Sequence, residues 1–164
     1  MKFTKGYWLN LPGVTNTDAV QVREVKVEND RVYLYTVPYH ADMRAMGGPL
    51  LEMYISSPQP DIIRTEAYHF MGSNRKMPAF ELNDAHCALE VENIETTVTI
   101  KSGNTKLVIG KNPCSFDYYY KDKKLTSVGN RFGSAMISTI STPDGNYMRA
   151  QMDLDIGEKV YGLG

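Results

Sequence analysis

The sequence predicts an all-β protein, an antiparallel β-sandwich, on two observations. About ten short segments have the composition or alternation of β-strands, and turn-forming residues separate them about every 8 to 12 residues. No stretch keeps the apolar spacing of an amphipathic helix for long enough to form one. The 164 residues suffice for one domain with a real core and not for two of ordinary size, so we expect a single domain over residues 1–164.

The chain begins with a segment that we expect to be irregular, followed by a strand. Turn-forming residues surround the only tryptophan, Trp8, so residues 6–17 are predicted to form an arm without regular structure. Residues 20–27 alternate valine with polar side chains, but the alternation changes phase partway. A β-bulge near Arg23 and Glu24 would explain that change.

A second strand is predicted at residues 31–37, which should pair with the first across a turn at 28–30. One face of this strand collects the side chains that should point into the core: Val32, Leu34 and Thr36. In residues 39–49 a pair of glycines and other turn-forming residues outweigh a weak helical pattern, so we expect a loop there.

Two further strands are predicted at residues 50–56 and 61–70. Two prolines lie between them, in residues 57–60. Because proline cannot donate a hydrogen bond to a neighbouring strand, this segment should be a connection. Residues 71–80 are rich in Gly, Asn, Lys and Pro and are predicted to form a loop.

The middle of the chain predicts a strand at residues 87–91 and a longer one at 94–101. One face of the longer strand would carry its alternating apolar and threonine residues: Ile94, Thr96, Val98 and Ile100. A glycine-containing turn at 102–104 should reverse the chain, so that residues 105–109 pair back on this strand.

Three more strands are predicted before the end of the chain. Asn112 and Pro113 interrupt the pattern, and residues 115–120 then form a strand that ends at the charged turn 121–124. Residues 125–142 have the weaker pattern of a strand pair. The Pro-Asp-Gly-Asn sequence at 143–146 predicts the sharpest turn in the chain.

The most regular alternation lies near the end, in residues 148–156. Its apolar members would face one side of a sheet: Met148, Ala150, Met152, Leu154 and Ile156. We therefore expect a strand across this whole range. The glycine-rich residues 157–164 would then lead into a further segment.

Composition excludes two classes of partner. Hydrophobic residues make up 42% of the chain and charged residues 23%, and both values are ordinary for a globular protein. The net charge of -1 provides no general attraction to nucleic acid or to an anionic membrane. No apolar run approaches the roughly 20 residues that cross a bilayer, and the first ten residues lack the apolar core of a secretion signal. We expect neither a nucleic-acid nor a membrane partner.

The cysteine count favours a reducing compartment. Cys87 and Cys114 are the only two cysteines, and two thiols do not make the disulfide framework of a small secreted protein. We expect both to be inert buried side chains and the protein to be cytoplasmic.

Few side chains are candidates for binding a metal, and none has the spacing of a zinc site: His40, His69, His86 and Cys87. His86 and Cys87 are adjacent, so on a strand they would point to opposite faces. His69 shares a strand face with Ile63 and Ala67, which favours a core histidine bonded to the backbone. We expect no metal and no cofactor.

Two pairs of carboxylates are candidates for a glycosidase site, which needs two carboxyl groups about 5 to 10 Å apart across a cleft. Asp153 and Asp155 would lie roughly 7 Å apart on one strand face, but that face is polar and is typical of a solubilising surface. The same interpretation applies to Glu90 and Glu92. No serine-nucleophile, phosphate-binding or dinucleotide-binding motif occurs, so we expect no catalytic residue in this chain.

The strand at 115–120 is rich in aromatic residues and is the candidate carbohydrate-binding element. Tyr118, Tyr119 and Tyr120 could stack on a sugar ring, with Tyr119 facing away from its two neighbours. Sheet packing is the alternative, because tyrosine is a common strand residue.

Several stretches, in order along the chain, together resemble one family. They are residues 3–9, 12–14, 48–51, 57–64, 69–70, 102–104, 147–149 and the closing Gly-Glu-Lys-Val-Tyr-Gly-Leu-Gly of 157–164. They resemble the N-terminal region of glycoside hydrolase family 31, nearest to its α-xylosidase-like members. The resemblance spans essentially the whole chain, and the closing block is its most specific part.

The resemblance implies a galactose-mutarotase-like β-sandwich (a supersandwich) that precedes a catalytic (β/α)8 barrel. The family's nucleophile is an aspartate in a Trp-x-Asp-Met motif on that barrel. Trp8 is followed by Leu9 and Asn10, and the Asp42-Met43 pair has His40 where the motif needs tryptophan. We therefore expect that the barrel, its catalytic aspartates and the remaining strands of the sandwich lie downstream, which would make this chain a truncated sandwich.

The function expected from the resemblance is that of a non-catalytic N-terminal domain of an α-glycosidase. Its partners would be the catalytic barrel of the full-length chain and, through the barrel, a carbohydrate substrate, with homo-oligomer contacts left open. An alternative is a self-standing carbohydrate-binding module that uses Tyr118 to Tyr120. A third is an aldose epimerase with a histidine and a carboxylate in its site, which the isolated histidines support little.

Overall fold

The computed structural model describes residues 3–5, 9–38, 50–69, 85–129, 137–159 and 161–162, and every regular element in these ranges is a β-strand. The first seven strands are β1 (Thr4–Lys5), β2 (Leu9–Asn10), β3 (Thr15–Asp18), β4 (Gln21–Val27), β5 (Arg31–Val37), β6 (Leu51–Ser56) and β7 (Arg64–Tyr68). The next seven are β8 (Glu90–Asn93), β9 (Thr97–Ser102), β10 (Thr105–Lys111), β11 (Cys114–Tyr120), β12 (Lys123–Val128), β13 (Ile137–Thr142) and β14 (Gly145–Ala150). These ranges contain no helix that could span a membrane.

The strands form antiparallel sheets in which most neighbours are consecutive along the chain. One sheet has the order β4-β5-β6-β7, and a second has the order β12-β11-β10-β9-β8. A third sheet, β14-β13-β3, is joined to the first because β3 runs into β4, with the amide of Ala19 donating to the carbonyl of Ile137 at 2.9 Å. Thr4–Lys5 and Leu9–Asn10 form a small separate pair. The predicted all-β antiparallel fold is confirmed.

The core is one apolar layer between the four-stranded and five-stranded sheets. Its completely buried side chains, all at 0% exposure, come from β5, β6, β9 and β10: Val32, Leu34, Met53, Ile55, Val98, Ile100, Leu107 and Ile109. They occupy alternate positions, so the period of two in the sequence sends them to the same face of their strands. Phe116 of β11 closes the layer at 1% exposure.

One end of the layer is fixed by a group of polar contacts between the sheets. The hydroxyls of Ser57 and Ser102 lie 2.7 Å apart and are buried, and Thr105 Oγ1 donates to the carbonyl of Asp61 at 2.7 Å. The Asp61 carboxylate accepts a hydrogen bond from the amide of Asn104. Gly103 has φ 58°, and a Cβ there would collide with that carboxylate, so this turn needs glycine.

Several predicted elements are confirmed. The hairpin of residues 20–27 with Arg31–Val37 forms around the predicted turn, and its register shifts between Val22 and Glu24, where the bulge was expected. The strands predicted at 50–56, 105–109 and 115–120 are present, each within two residues of the predicted bounds. The loops predicted at 39–49 and 71–80 lie outside the described residues.

The arm predicted at residues 6–17 was partly wrong. Leu9–Asn10 pairs with Thr4–Lys5, and Thr15–Asp18 pairs with Ile137–Thr142 at the edge of a sheet. Although their composition is that of turns, residues 15–18 form a strand because Ile137–Thr142, more than a hundred residues away, supplies the hydrogen-bonding partners. Trp8, the tryptophan of the predicted arm, lies outside the described residues.

Three predicted strands begin or end elsewhere. The strand predicted at 61–70 covers only Arg64–Tyr68, since Asp61 takes φ 68° in a turn. The strands predicted at 87–91 and 94–101 are Glu90–Asn93 and Thr97–Ser102. Between those two the chain reverses, and the amide of Ile94 donates to the carbonyl of Thr97 at 3.0 Å. Ile94 is therefore 51% exposed and does not share the core with Ile100.

The strand predicted at 148–156 was wrong beyond Ala150. Ala150 pairs with Ile137 and is the last residue of β14. The apolar residues that follow in the predicted alternation are exposed: Met152 at 58%, Leu154 at 58% and Ile156 at 102%. The chain leaves the sheet and runs beside β12, where the amide of Asp153 donates to the carbonyl of Ser127 at 2.8 Å.

A matched pair of substitutions tests this assignment. Ile100→Ala should lower the free energy of unfolding by about 2 to 5 kcal/mol, because it leaves a cavity in the core layer. Ile94→Ala should change it by no more than about 0.5 kcal/mol, because that side chain is half exposed in a turn. Urea denaturation of both variants measures the difference. If Ile94→Ala lowered the free energy of unfolding as much as Ile100→Ala does, the result would support a strand across 94–101 and contradict the turn.

Candidate functional site

The three tyrosines predicted to bind a sugar do not share one surface. Tyr118 lies opposite Leu107 on the inner face, and its hydroxyl is 2.9 Å from Thr65 Oγ1. Burial raises the pKa of Tyr118 above its ordinary value, and the hydrogen bond with Thr65 opposes that shift. The side chain of Tyr118 thus belongs to the contact between the sheets.

Tyr119 and Tyr120 are the more accessible members of this set. Tyr119 lies opposite Lys106, whose Nζ is 4.9 Å from the ring centroid. Tyr120 ends the strand at 38% exposure, and Lys121 Nζ lies 5.5 Å from its ring centroid. Tyr119 was predicted to point to the face opposite that of Tyr118 and Tyr120, and the register agrees. Sugar binding by this strand stays a prediction.

The carboxylates considered for catalysis make local contacts. Asp153 accepts a hydrogen bond from Ser127 Oγ at 2.8 Å, while its carbonyl accepts one from Thr126 Oγ1 at 2.8 Å. Asp155 accepts from the amide of Ile156 at 2.7 Å inside a turn. The contacts of Asp153 hold the chain against β12 at that residue. Glu90 and Glu92 are exposed on β8, as expected of a solubilising face.

The candidate metal ligands are dispersed. His69 is exposed beyond the end of β7, so its prediction as a core histidine was wrong: the strand stops one residue earlier and leaves the ring outside the layer. His86 Nε2 lies 3.7 Å from Asp30 Oδ2. His40 lies outside the described residues. Among the residues that the structure describes, no three histidine, cysteine or acidic side chains converge as a metal site would require.

The two cysteines are free thiols with different environments. Cys114 is buried, and burial raises its pKa to about 12, so it stays protonated and unreactive near neutral pH. Cys87 is only half-buried, so the expectation that both thiols would be buried holds for Cys114 alone.

Sequence inspection missed a set of stacked aromatic rings on the outer face of the four-stranded sheet. This tyrosine ladder consists of Tyr33, Tyr54 and Tyr68, with ring centroids 5.4 Å and 6.1 Å apart at interplanar angles of 54° and 66°. The guanidinium of Arg31 lies 4.6 Å from the Tyr54 ring. The sequence does contain tyrosines at outward-facing positions of three consecutive strands. Whether their rings lie next to one another depends on the register between the strands, which the sequence alone does not give. Because the rings are tilted and capped by a cation, they do not form a flat sugar platform.

The ladder also contains a tyrosine that resists ionisation. Burial, followed by the hydrogen bond that the Tyr33 hydroxyl donates to Glu52 at 3.1 Å, raises the pKa of Tyr33 to about 12. The phenol is thus held neutral beside the carboxylate.

A cavity of about 720 Å³ opens between the three-stranded sheet and the end of β7. Its lining combines hydroxyl, amide and imidazole groups with aromatic and apolar side chains: Thr15, Thr17, Ala67, Tyr68, His69, Thr139, Ser141, Asn146, Tyr147 and Met148. None of the residues predicted to bind a sugar lies in it. Thr15 and Thr17 come from the predicted arm, and Thr139 and Ser141 come from β13. Nothing in the sequence predicted that these two segments lie side by side.

The shifted Tyr33 makes a prediction about alkaline pH. In the unfolded chain a tyrosine ionises near pH 10, while folded Tyr33 ionises near about 12, so its contribution to stability is complete below pH 10 and is lost as the pH rises through the folded value. Glu52→Gln removes the negative charge and should move the Tyr33 transition to lower pH. Absorbance titration at alkaline pH, with Tyr33→Phe to identify the transition, measures the shift. An unmoved transition in Glu52→Gln would exclude Glu52 as a cause.

The chain is similar in sequence to one family of known proteins. Residues 52–164 match the model of the glycosyl hydrolase 31 N-terminal galactose mutarotase-like domain. Alpha-xylosidase XylQ of Lactiplantibacillus pentosus is 26% identical over 171 aligned residues, and an alpha-xylosidase of Emericella nidulans is 27% identical over 184. Both alignments cover 100% of this chain, which spans only 22% and 24% of the two relatives' lengths.

A solved structure agrees at the level of the fold. The cycloalternan-forming enzyme from Listeria monocytogenes, determined with a pentasaccharide substrate, superimposes on 84% of this chain and 12% of its own, with a TM-score of 0.59 and 15% identity. At that identity the likeness concerns the fold alone. The family match covers more than half of the chain and includes all five strands of the five-stranded sheet. The chain belongs to the family of glycosyl hydrolase 31 N-terminal galactose mutarotase-like domains.

Proposed function

We propose that this chain serves as the non-catalytic N-terminal domain of an α-glycosidase of the α-xylosidase kind, packing on a catalytic (β/α)8 barrel and shaping the rim of its active site. The observation that carries the proposal is the pattern of coverage. Two α-xylosidases align with the whole chain, yet the greater part of each relative lies outside the alignment. The chemistry would then belong to the part of the enzyme that is not aligned.

An exposed apolar segment supports a protein partner. Four large apolar side chains after β14 are more than half exposed: Met152, Leu154, Ile156 and Tyr161, the last two at 102% and 85%. Leu125 of β12, the strand beside which this segment runs, is 50% exposed. Burying a side chain of this size contributes about 1.5 to 3 kcal/mol, so leaving several in water favours a partner surface that covers them.

The contacts of Asp153 make this segment a defined surface. Its amide, carbonyl and carboxylate are all hydrogen-bonded to Thr126 or Ser127, which fixes the path of the chain between Met152 and Leu154. A fixed path lowers the conformational entropy lost when a partner binds. We call the exposed side chains of Met152, Leu154, Ile156, Tyr161 and Leu125 the C-terminal apolar surface.

The first test concerns catalysis. The 164-residue chain alone should not hydrolyse 4-nitrophenyl α-D-xyloside, while the full-length enzyme that contains it should, because the reacting carboxylates would lie on the barrel. The coding sequence after Gly164 should encode Trp-x-Asp-Met. Turnover by the chain alone at a rate comparable to that of the full-length enzyme would contradict the proposal, and so would a downstream sequence without the motif.

The second test concerns the contact surface. In the full-length enzyme, Ile156→Asp should weaken packing on the barrel by about tenfold or more, since it replaces a buried apolar contact with a carboxylate. The expected readouts are a lower thermal midpoint and a lower kcat/KM. Ile94→Asp is the matched control, because Ile94 is also exposed but lies in the β8–β9 turn. Equal effects at both positions, or none at Ile156, would show that the C-terminal apolar surface is not the contact.

A further inference from the structure

The cavity beside the three-stranded sheet has a regular wall of uncharged polar groups. Across the strands, Ser141 of β13 lies opposite both Thr15 and Asn146. One row along, Thr139 lies opposite both Thr17 and Met148. Because these rows are two residues apart, all six side chains point to one face, about 5 Å apart across strands and about 7 Å along them.

The hydroxyls of this wall are not used by the fold. Five other threonine hydroxyls on or beside strands do form hydrogen bonds: those of Thr36, Thr65, Thr105, Thr126 and Thr142. In the part of the chain that the structure describes, the four hydroxyls of Thr15, Thr17, Thr139 and Ser141 have no such partner. They include that of Thr139, a residue that is only 7% exposed and that lines the cavity. A hydroxyl that faces a cavity without a protein partner is a group that a ligand can satisfy.

The charge of the wall selects the kind of ligand. No Asp, Glu, Lys or Arg is among the described residues that line the cavity. The charged residues of the same sheet pair on its opposite face, where Arg149 Nη2 lies 3.5 Å from Asp18 Oδ1 and Arg149 Nε donates to Ser138 Oγ at 2.9 Å. An ion entering the cavity would therefore meet no opposite charge from this wall, which favours a neutral ligand.

An aromatic ring and a thioether complete the site. The Tyr68 ring is braced by the Tyr54 ring, with the two centroids 6.1 Å apart. Together with Met148, Tyr68 offers apolar contact beside the hydroxyls. Tyr147 lies opposite Ile140, between Asn146 and Met148, so its ring points to the other face of the sheet. A volume of about 720 Å³ is within the range of small-molecule sites.

We propose that this cavity binds a neutral saccharide, whose hydroxyls pair with Thr15, Thr17, Thr139 and Ser141 while a ring face packs on the tyrosine and methionine side chains. The combination matches the chemistry of a sugar, which carries many uncharged hydroxyls around an apolar ring face. The site is separate from the strand of Tyr118 to Tyr120, and it does not depend on a contact with a barrel.

Calorimetric titration of the 164-residue chain with xylose, xylotriose and maltotriose tests the proposal. At least one saccharide should bind saturably, with a Kd of about 1 mM or below. Thr139→Val and Ser141→Ala each remove one hydroxyl and should weaken that binding by about three- to tenfold. Thr97→Val is the matched control, because Thr97 is a half-buried strand threonine outside the cavity, and it should leave the Kd unchanged.

Each outcome of these titrations either supports or overturns the proposal. Should Thr139→Val fail to fold, as judged by circular dichroism, Ser141→Ala still decides, because Ser141 is exposed. The proposal is overturned when none of the three saccharides binds, when the cavity variants bind as the wild type does, or when Thr97→Val weakens binding equally. Loss of binding in Tyr119→Ala, with both cavity variants unaffected, would place the saccharide on β11 and also overturn it.

Discussion

The apolar layer between the four-stranded and five-stranded sheets is the interaction on which the other features depend. Burial of one Leu, Ile or Val side chain contributes about 1.5 to 3 kcal/mol, and eight such aliphatic or Met side chains in this layer are completely buried. Surface ion pairs contribute about 0 to 1 kcal/mol each, so contacts such as Lys106 with Asp122 at 2.9 Å cannot determine how the sheets pack. The polar contacts of Ser57 and Asp61 act differently: they are directional, and they fix the alignment that apolar packing alone leaves loose.

Strands that belong to this layer were predictable because their evidence is local. In Arg31–Val37 the alternation, the flanking turn and the burial all agree, and its bounds were predicted correctly. Alternation reports which side of a strand is apolar, however, and not whether a neighbouring strand is present. Residues 148–156 alternate better than any other segment, yet the strand ends at Ala150 and the residues that follow bond to β12 instead. Ile94 was misplaced for a related reason, since the chain reverses at that residue while the apolar period continues through it.

The candidate sites were less predictable than the fold, because each depends on pairs of residues far apart in the chain. The inward direction of Tyr118 follows from alternation, but its contact with Thr65 joins residues 53 positions apart. The hydroxyl wall requires Thr15 and Thr17 to be on a strand, and composition had predicted an arm there. Only the register with β13 reveals that these threonines share a face with Thr139. The family resemblance, by contrast, rests on short blocks in order along the chain, which survive without any knowledge of pairing.

The departure of the chain from its sheet after Ala150 accounts for both proposed surfaces. Met148 lines the cavity, so a strand continuing with the same alternation would add Met152 and Leu154 to that wall and make it largely apolar. Instead Asp153 is bonded to β12, and these apolar side chains are carried away from the hydroxyls and exposed on another part of the molecule. The contacts of a single aspartate therefore separate a surface suited to a protein partner from a cavity suited to a neutral, hydroxyl-rich ligand.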